Sequence, residues 1–203
     1  MKNLRYILFA GLLAMTFVAC DDDTDLPPYA PILLGEDFDE GADNIPLVVE
    51  GWTNYASAGT AIWKHQVFNG DGYAEFNPFG SGEASNIAWL ISKKVTLAEN
   101  NNAYVRFLAS HAFLSDPDNN KLEVFASDDF DGTNVNTATW TELTPAALPT
   151  PTNDFYEYVD SGEMSLSAFN GDVYVAIRVT GSGTNSALDG AYQVDRFRIY
   201  EKQ

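Results

Sequence analysis

The amino-acid sequence predicts an all-β fold, an antiparallel β-sandwich, on three observations. Short segments alternate apolar and polar residues with a period of two. Clusters of Gly, Asn, Asp and Ser separate these segments at turn-like intervals. No stretch sustains the 3.6-residue periodicity of an amphipathic helix. The aromatic content (4 Trp, 10 Tyr and 13 Phe) leans the same way, because aromatic and β-branched side chains suit a pleated, half-buried surface.

Taken in order, the chain opens with Lys2 and Arg5, then an apolar run over residues 6–19 that ends at Cys20, the only cysteine. That run is shorter than the roughly 20 residues a membrane-spanning helix needs, so it reads as an export signal. Its end, Phe17-Val18-Ala19-Cys20, resembles the lipobox of bacterial lipoproteins, with Phe17 where leucine is usual. The resemblance implies cleavage before Cys20, lipidation of its sulfur, and attachment to the outer membrane through the lipid anchor only. Asp21, Asp22, Asp23 and Asp25 follow. An acidic cluster in this place resembles the export signal of surface-displayed lipoproteins, and clustered like charges also make an extended tether. Pro27, Pro28 and Pro31 continue that tether. The expected divisions are a lipoprotein signal peptide over 1–19, an acidic, Pro-rich tether over 20–34, and one sandwich domain over 35–203.

Within the domain, strands are expected at 36–39, 62–68, 73–76, 89–95, 104–110, 121–126, 140–143, 156–159, 173–179 and 193–200. The clearest is 173–179, where Val173, Val175, Ile177 and Val179 fall on one face and Tyr174 and Arg178 on the other. Leu122, Val124 and Ala126, and likewise Val105, Phe107 and Ala109, repeat the pattern. The sequences Asn69-Gly70 and Asp131-Gly132 read as turns, where these pairs supply positive φ.

Composition narrows the partners. The formal charge is −18, and removal of Lys2 and Arg5 with the signal peptide takes it to −20. Such a charge repels nucleic acid and anionic headgroups. A single cysteine forms no disulfide within the chain, so stability rests on packing, with or without a metal.

Several segments occur in a familiar order: Glu36-Asp37-Phe38-Asp39, Gly51-Trp52, Gly70-Asp71-Gly72-Tyr73-Ala74 and Trp89-Leu90-Ile91-Ser92. Leu122 through Gly132, Ala138 through Leu143, Val173 through Arg178 and Tyr192 through Ile199 complete the set. This order resembles the choice-of-anchor J domains of bacterial surface proteins, which are related to the cleaved-adhesin domains of gingipains. The resemblance implies a jelly roll akin to galactose-binding-like and MAM-like sandwiches. Ala88 and Lys93 stand where family members carry Asp and Pro, and Tyr192 stands where a Trp is frequent.

Asp195 is expected to share a face with Phe197 and Ile199, and Glu36 with Phe38. A carboxylate in register with core residues needs a partner. Related domains hold a structural calcium where first and last strands meet. The resemblance therefore implies a Ca2+ site from Glu36 and Asp195, completed by Asp37, Asp39 or a loop carbonyl. Salt bridges to Arg106 or Arg178, or simple exposure at a strand end, are the alternatives. Glu36 and Glu40 lie about 13 Å apart along a strand, too far for a retaining glycosidase pair. No Gly-x-Ser-x-Gly elbow is present, and His65 and His111 have no partner spacing for zinc.

Sugar recognition pairs an aromatic face with a few amides or carboxylates. Phe79, Phe113, Tyr192 and Asn185 are the candidate ligand contacts. The sequence thus predicts a non-catalytic surface lipoprotein that binds an extracellular polysaccharide. The alternative is an adhesin that contacts a host or partner surface protein.

Overall fold

The alternating segments form strands throughout a computed structural model that describes residues 31–202. In chain order these are β1 (Ile32–Glu36), β2 (Ile45–Pro46), β3 (Thr53–Ala58), β4 (Lys64–Phe68), β5 (Asp71–Phe76), β6 (Asn86–Ile91) and β7 (Val95–Leu97). After them come β8 (Ala103–Ala112), β9 (Lys121–Ser127), β10 (Thr141–Leu143), β11 (Val159–Asp160), β12 (Met164–Ser165), β13 (Gly171–Gly181) and β14 (Ala191–Glu201). All pairings are antiparallel, and no helix occurs among the described residues.

Two sheets result. The larger runs β11-β8-β14-β5-β4-β2, with β1 beside β14 and β12 beside β8. The smaller runs β10-β9-β13-β6-β3, with β7 beside β13. Between them, Val105, Phe107, Ala109, Val194, Phe197 and Ile199 of one sheet meet Leu122, Val124, Val175, Ile177 and Val179 of the other. In β8, β9 and β13 the period-two faces read from the sequence are the faces that meet. Each fully buried Val, Leu, Ile or Phe contributes about 1.5–3 kcal/mol.

Asn69 (φ 55°) and Gly70 (φ 87°) make the two-residue turn that joins β4 to β5, as expected. Asp131 holds its own turn, accepting hydrogen bonds from the Thr133 and Asn134 amides at 2.8 and 2.7 Å. The segment it begins covers a second apolar cluster, Trp89, Ile91, Phe125, Phe130 and Val135, on the outer face of the smaller sheet.

Three expectations are corrected. Residues 32–34, read as the end of the tether, belong to β1, and Leu34 enters the core, so these residues are part of the domain. The expected strand at 36–39 ends instead at Glu36, because Phe38 turns the chain with φ 54°. In β14 the register slips between Asp195 and Arg198, so Arg196 and Phe197 together oppose Phe107 of β8. A bulge of this kind reverses the alternation. Phe197 and Ile199 remain in the core, while Asp195 moves to the outer face with Gln193. Signal peptide, Cys20 and acidic cluster lie outside the described residues.

Candidate binding groove

The outer face of the larger sheet is built on β5, whose outward positions are Asp71, Tyr73 and Glu75, followed by Asn77. At strand rise these four positions span about 20 Å. A polar ladder crosses them from strand to strand. Ser110 Oγ donates to Gln193 Oε1 (2.9 Å), Gln193 Nε2 to Glu75 Oε2 (2.9 Å), and Gln66 Nε2 to Glu75 Oε1 (3.2 Å). Ser110, Gln193 and Glu75 stand opposite one another in the pairing, which is why their side chains meet. All three are buried. Burial pushes the Glu75 carboxyl up despite the two amide donors.

A strap over residues 154–158 leans on this face. Its turn is closed by Glu157 Oε2, which accepts from the Asp154 amide at 2.9 Å and from Asn153 Nδ2 at 3.2 Å. These bonds hold the Glu157 carboxyl below the ordinary range. The Tyr156 amide donates to the His111 carbonyl at 3.0 Å, and Tyr156 itself has φ 62°. Tyr158 packs near Ser110, Tyr73 and Asp195, and its phenol is raised mainly by burial. The Tyr73 phenol is pushed up to about 12 by burial and by Glu75.

The strap divides the face into two depressions that share Phe155 and Tyr156. One, about 590 Å3, is lined by Asn77, Phe79, Phe113, Phe155, Tyr156 and Asp189 among others. The other, about 530 Å3, is lined by Phe68, Asp71, Tyr73, Phe155, Tyr156 and Tyr158. Phe79 is 73% exposed, Phe68 69%, Phe113 68%, and Phe155 and Tyr156 52% each. Five large aromatics left this open on one face form a surface suited to stacking rather than a core. Phe113 and Phe155 are paired, with ring centroids 4.7 Å apart. Together the two depressions, joined at Phe155 and Tyr156, form one groove with aromatic walls and Asp71, Asn77 and Asp189 among its polar lining.

Of the residues read from sequence as candidate ligand contacts, Phe79 and Phe113 are exposed and line the groove. Asn185 is exposed in the neighbouring loop, but its Oδ1 accepts from the Ala187 amide at 3.0 Å and the residue does not line the groove. Tyr192 is corrected: it is 2% exposed in the core, and its hydroxyl donates to the Asn120 carbonyl at 2.9 Å. Phe68, Phe155, Tyr156 and Tyr158 were not singled out from sequence. The density of rings in Phe155-Tyr156-Glu157-Tyr158, just after a Thr-Asn-Asp turn, is the signal that marks them.

The four carboxylates expected to share a calcium do not converge. Glu36 Oε1 accepts from the Phe38 amide at 2.9 Å, Asp37 pairs with Arg198, and Asp39 Oδ1 accepts from the Gly72 amide at 3.1 Å. Asp195 Oδ1 accepts from the Arg196 amide at 2.5 Å, and burial pushes its carboxyl up to about 6. Among the described residues, no group of three or more His, Cys, Asp and Glu is placed to hold a metal ion. Arg106 and Arg178 serve other carboxylates, Asp160 and Glu123. Both histidines are buried, and His65 sets Nε2 2.6 Å from the Phe38 carbonyl and Nδ1 3.1 Å from that of Ala42.

Comparison with solved structures gives the same architecture. The CBM22-1 xylan-binding domain of Xyn10C from Paenibacillus barcinonensis is similar over 87% of this chain and 97% of its own, with a TM-score of 0.50 and 16% identity. The K3 cleaved adhesin domain of Lys-gingipain from Porphyromonas gingivalis is similar over 84% of this chain and 99% of its own, with a TM-score of 0.51 and 17% identity. The K2 domain of Lys-gingipain gives a TM-score of 0.51 at 14% identity, over 82% of this chain and 96% of its own. No protein-family model matches the sequence, and neither does any curated protein. The protein is an all-β jelly roll of two antiparallel sheets.

Proposed function

We propose that this domain is a non-catalytic glycan-binding module whose ligand lies in the groove on either side of the strap. The observation that carries the reading is the open row Phe68, Tyr156, Phe155, Phe113 and Phe79 beside Asp71, Asn77 and Asp189. Sugar C–H faces stack on such rings, while hydroxyls take the amides and carboxylates at their feet. The likeness to a domain named for xylan binding supports this reading. The likeness to cleaved adhesin domains supports the second reading, a protein partner met by the same face.

In this proposal the chain belongs with the choice-of-anchor J domains. It is held at the outer membrane by lipid on Cys20, and the acidic tether presents it at the cell surface. Replacement of Cys20 by Ser then releases the protein from the membrane fraction; a variant that stays membrane-bound overturns the anchor. For the groove, a glycan array probed with the wild type and with Tyr156→Ala is the test. Binding to a related set of oligosaccharides that Tyr156→Ala loses supports the module. A blank array overturns it in favour of the protein partner.

A further inference from the structure

Beyond the groove, the same sheet face holds a third depression of about 460 Å3, lined by Ile32, Arg106, Asp160, Arg196, Arg198 and Tyr200 among others. Three guanidiniums meet there in a chain with 29 acids and 11 Lys and Arg residues. Two are held by carboxylates. Asp160 grips Arg106 through both Nε and Nη2. Arg198 pairs with Asp37 and donates from Nη1 to the Glu36 and Phe197 carbonyls at 3.1 and 2.9 Å.

The third is left open. The Arg196 side chain is 63% exposed, and its carboxylate contact among the described residues is Asp195 Oδ2, 3.8 Å from Nε. Its backbone has φ 49° at the β14 bulge, a left-handed conformation that favours glycine. A non-glycine residue there, beside two like charges that face each other across strands, works against stability.

From this geometry we infer that the depression is an anion site, centred on Arg196, for the carboxylate of an acidic sugar carried by the glycan. The inference rests on the glycan reading of the groove. A guanidinium offers parallel donors that match a carboxylate. β14 links the two places, with Ala191 lining the groove and Arg198 and Tyr200 lining the pocket. The overall charge of −18 repels a polyanion. The site therefore fits a single uronate on an otherwise neutral chain.

The test titrates the full chain, in nonionic detergent at constant ionic strength, with glucuronate, glucose and acetate by calorimetry. Saturable glucuronate binding is expected, with glucose silent and acetate weaker. Arg196→Gln should weaken glucuronate binding about tenfold, an amount expected for loss of one charged hydrogen-bonding partner. Arg196→Lys should fall between, since it keeps charge without the fork. Absent saturation, equal binding of acetate and glucuronate, or indifference to Arg196→Gln each overturns the site. Melting curves of each variant confirm folding. The groove reading stands or falls separately, on Tyr156→Ala and neutral oligosaccharides.

Discussion

Arg106 of β8 and Arg198 of β14 stand directly opposite each other in the strand pairing, like charges on one face of the sheet. Such a pair is unfavourable unless each member is neutralised, and each is, by Asp160 and Asp37 respectively. Replacing Asp160 by Asn leaves Arg106 facing Arg198 without its counterion. Arg106 and Asp160 are about half and a third exposed, so the expected cost is modest, about 0.5–1 kcal/mol. The loss should shrink as salt is added, because screening weakens both the lost attraction and the exposed repulsion. Urea unfolding at low and high salt measures it; a loss that does not depend on salt would place the role of Asp160 elsewhere.

Arg196→Gly is expected to stabilise the fold. The φ of 49° at Arg196 strains an L-residue and suits glycine. Against this, glycine adds freedom to the unfolded chain. The balance is a gain of about 0.5–1 kcal/mol, read as a raised melting temperature. If glucuronate binding disappears in the same variant, strain and anion binding reside in one residue.

Asp195 predicts a pH dependence. Its carboxyl titrates near 6 in the fold, up from 3.8, because burial disfavours the charged form. Between those values the folded state holds the proton more tightly than the unfolded chain. Stability therefore falls as pH rises from about 4 to about 6 and stays reduced above that. Asp195→Asn keeps an acceptor for the Arg196 amide and removes the charge. It should raise stability at pH 7 by on the order of 1–2 kcal/mol and flatten the fall between pH 4 and 6. A destabilised Asp195→Asn, together with a melting temperature raised by calcium, would assign the carboxylate to an ion instead.

These sites differ in how plainly the sequence announces them. In β8, β9 and β13, the apolar residues at every second position mark the face that packs between the sheets, and the core residues follow from it. In β14 the alternation is broken at Arg196, and nothing in the string Val-Asp-Arg-Phe-Arg marks an inserted residue. Plain alternation therefore puts Asp195 on the face of Phe197, and the bulge puts it on the opposite one. The exposure of Phe79 and Phe113 is legible because turn residues surround Phe79 and a strand ends before Phe113. The burial of Tyr192 is not, since an aromatic at a strand start reads the same whether it points inward or outward. The strap was hidden for another reason: Tyr156–Val159 alternates as a strand would, yet Tyr156 has φ 62° and β11 begins only at Val159.

The strap supplies the last prediction. Phe155 and Tyr156 line both depressions, each about half exposed, so neither contributes a full measure of core burial. Tyr156→Ala should cost under about 1 kcal/mol in stability, as surface substitutions do. In a stacking site the same truncation removes one aromatic face, worth about 0.5–1.5 kcal/mol beyond area burial, and the apolar area itself. Oligosaccharide affinity should therefore fall about tenfold or more while the melting temperature barely moves. Tyr192→Phe is the opposite control. It removes a buried hydroxyl that donates to the Asn120 carbonyl, so stability should drop by about 1–3 kcal/mol with affinity unchanged. Calorimetry and melting curves on the two variants separate the cases. If Tyr156→Ala unfolds the domain and Tyr192→Phe abolishes binding, the groove has been placed on the wrong side of the sheet.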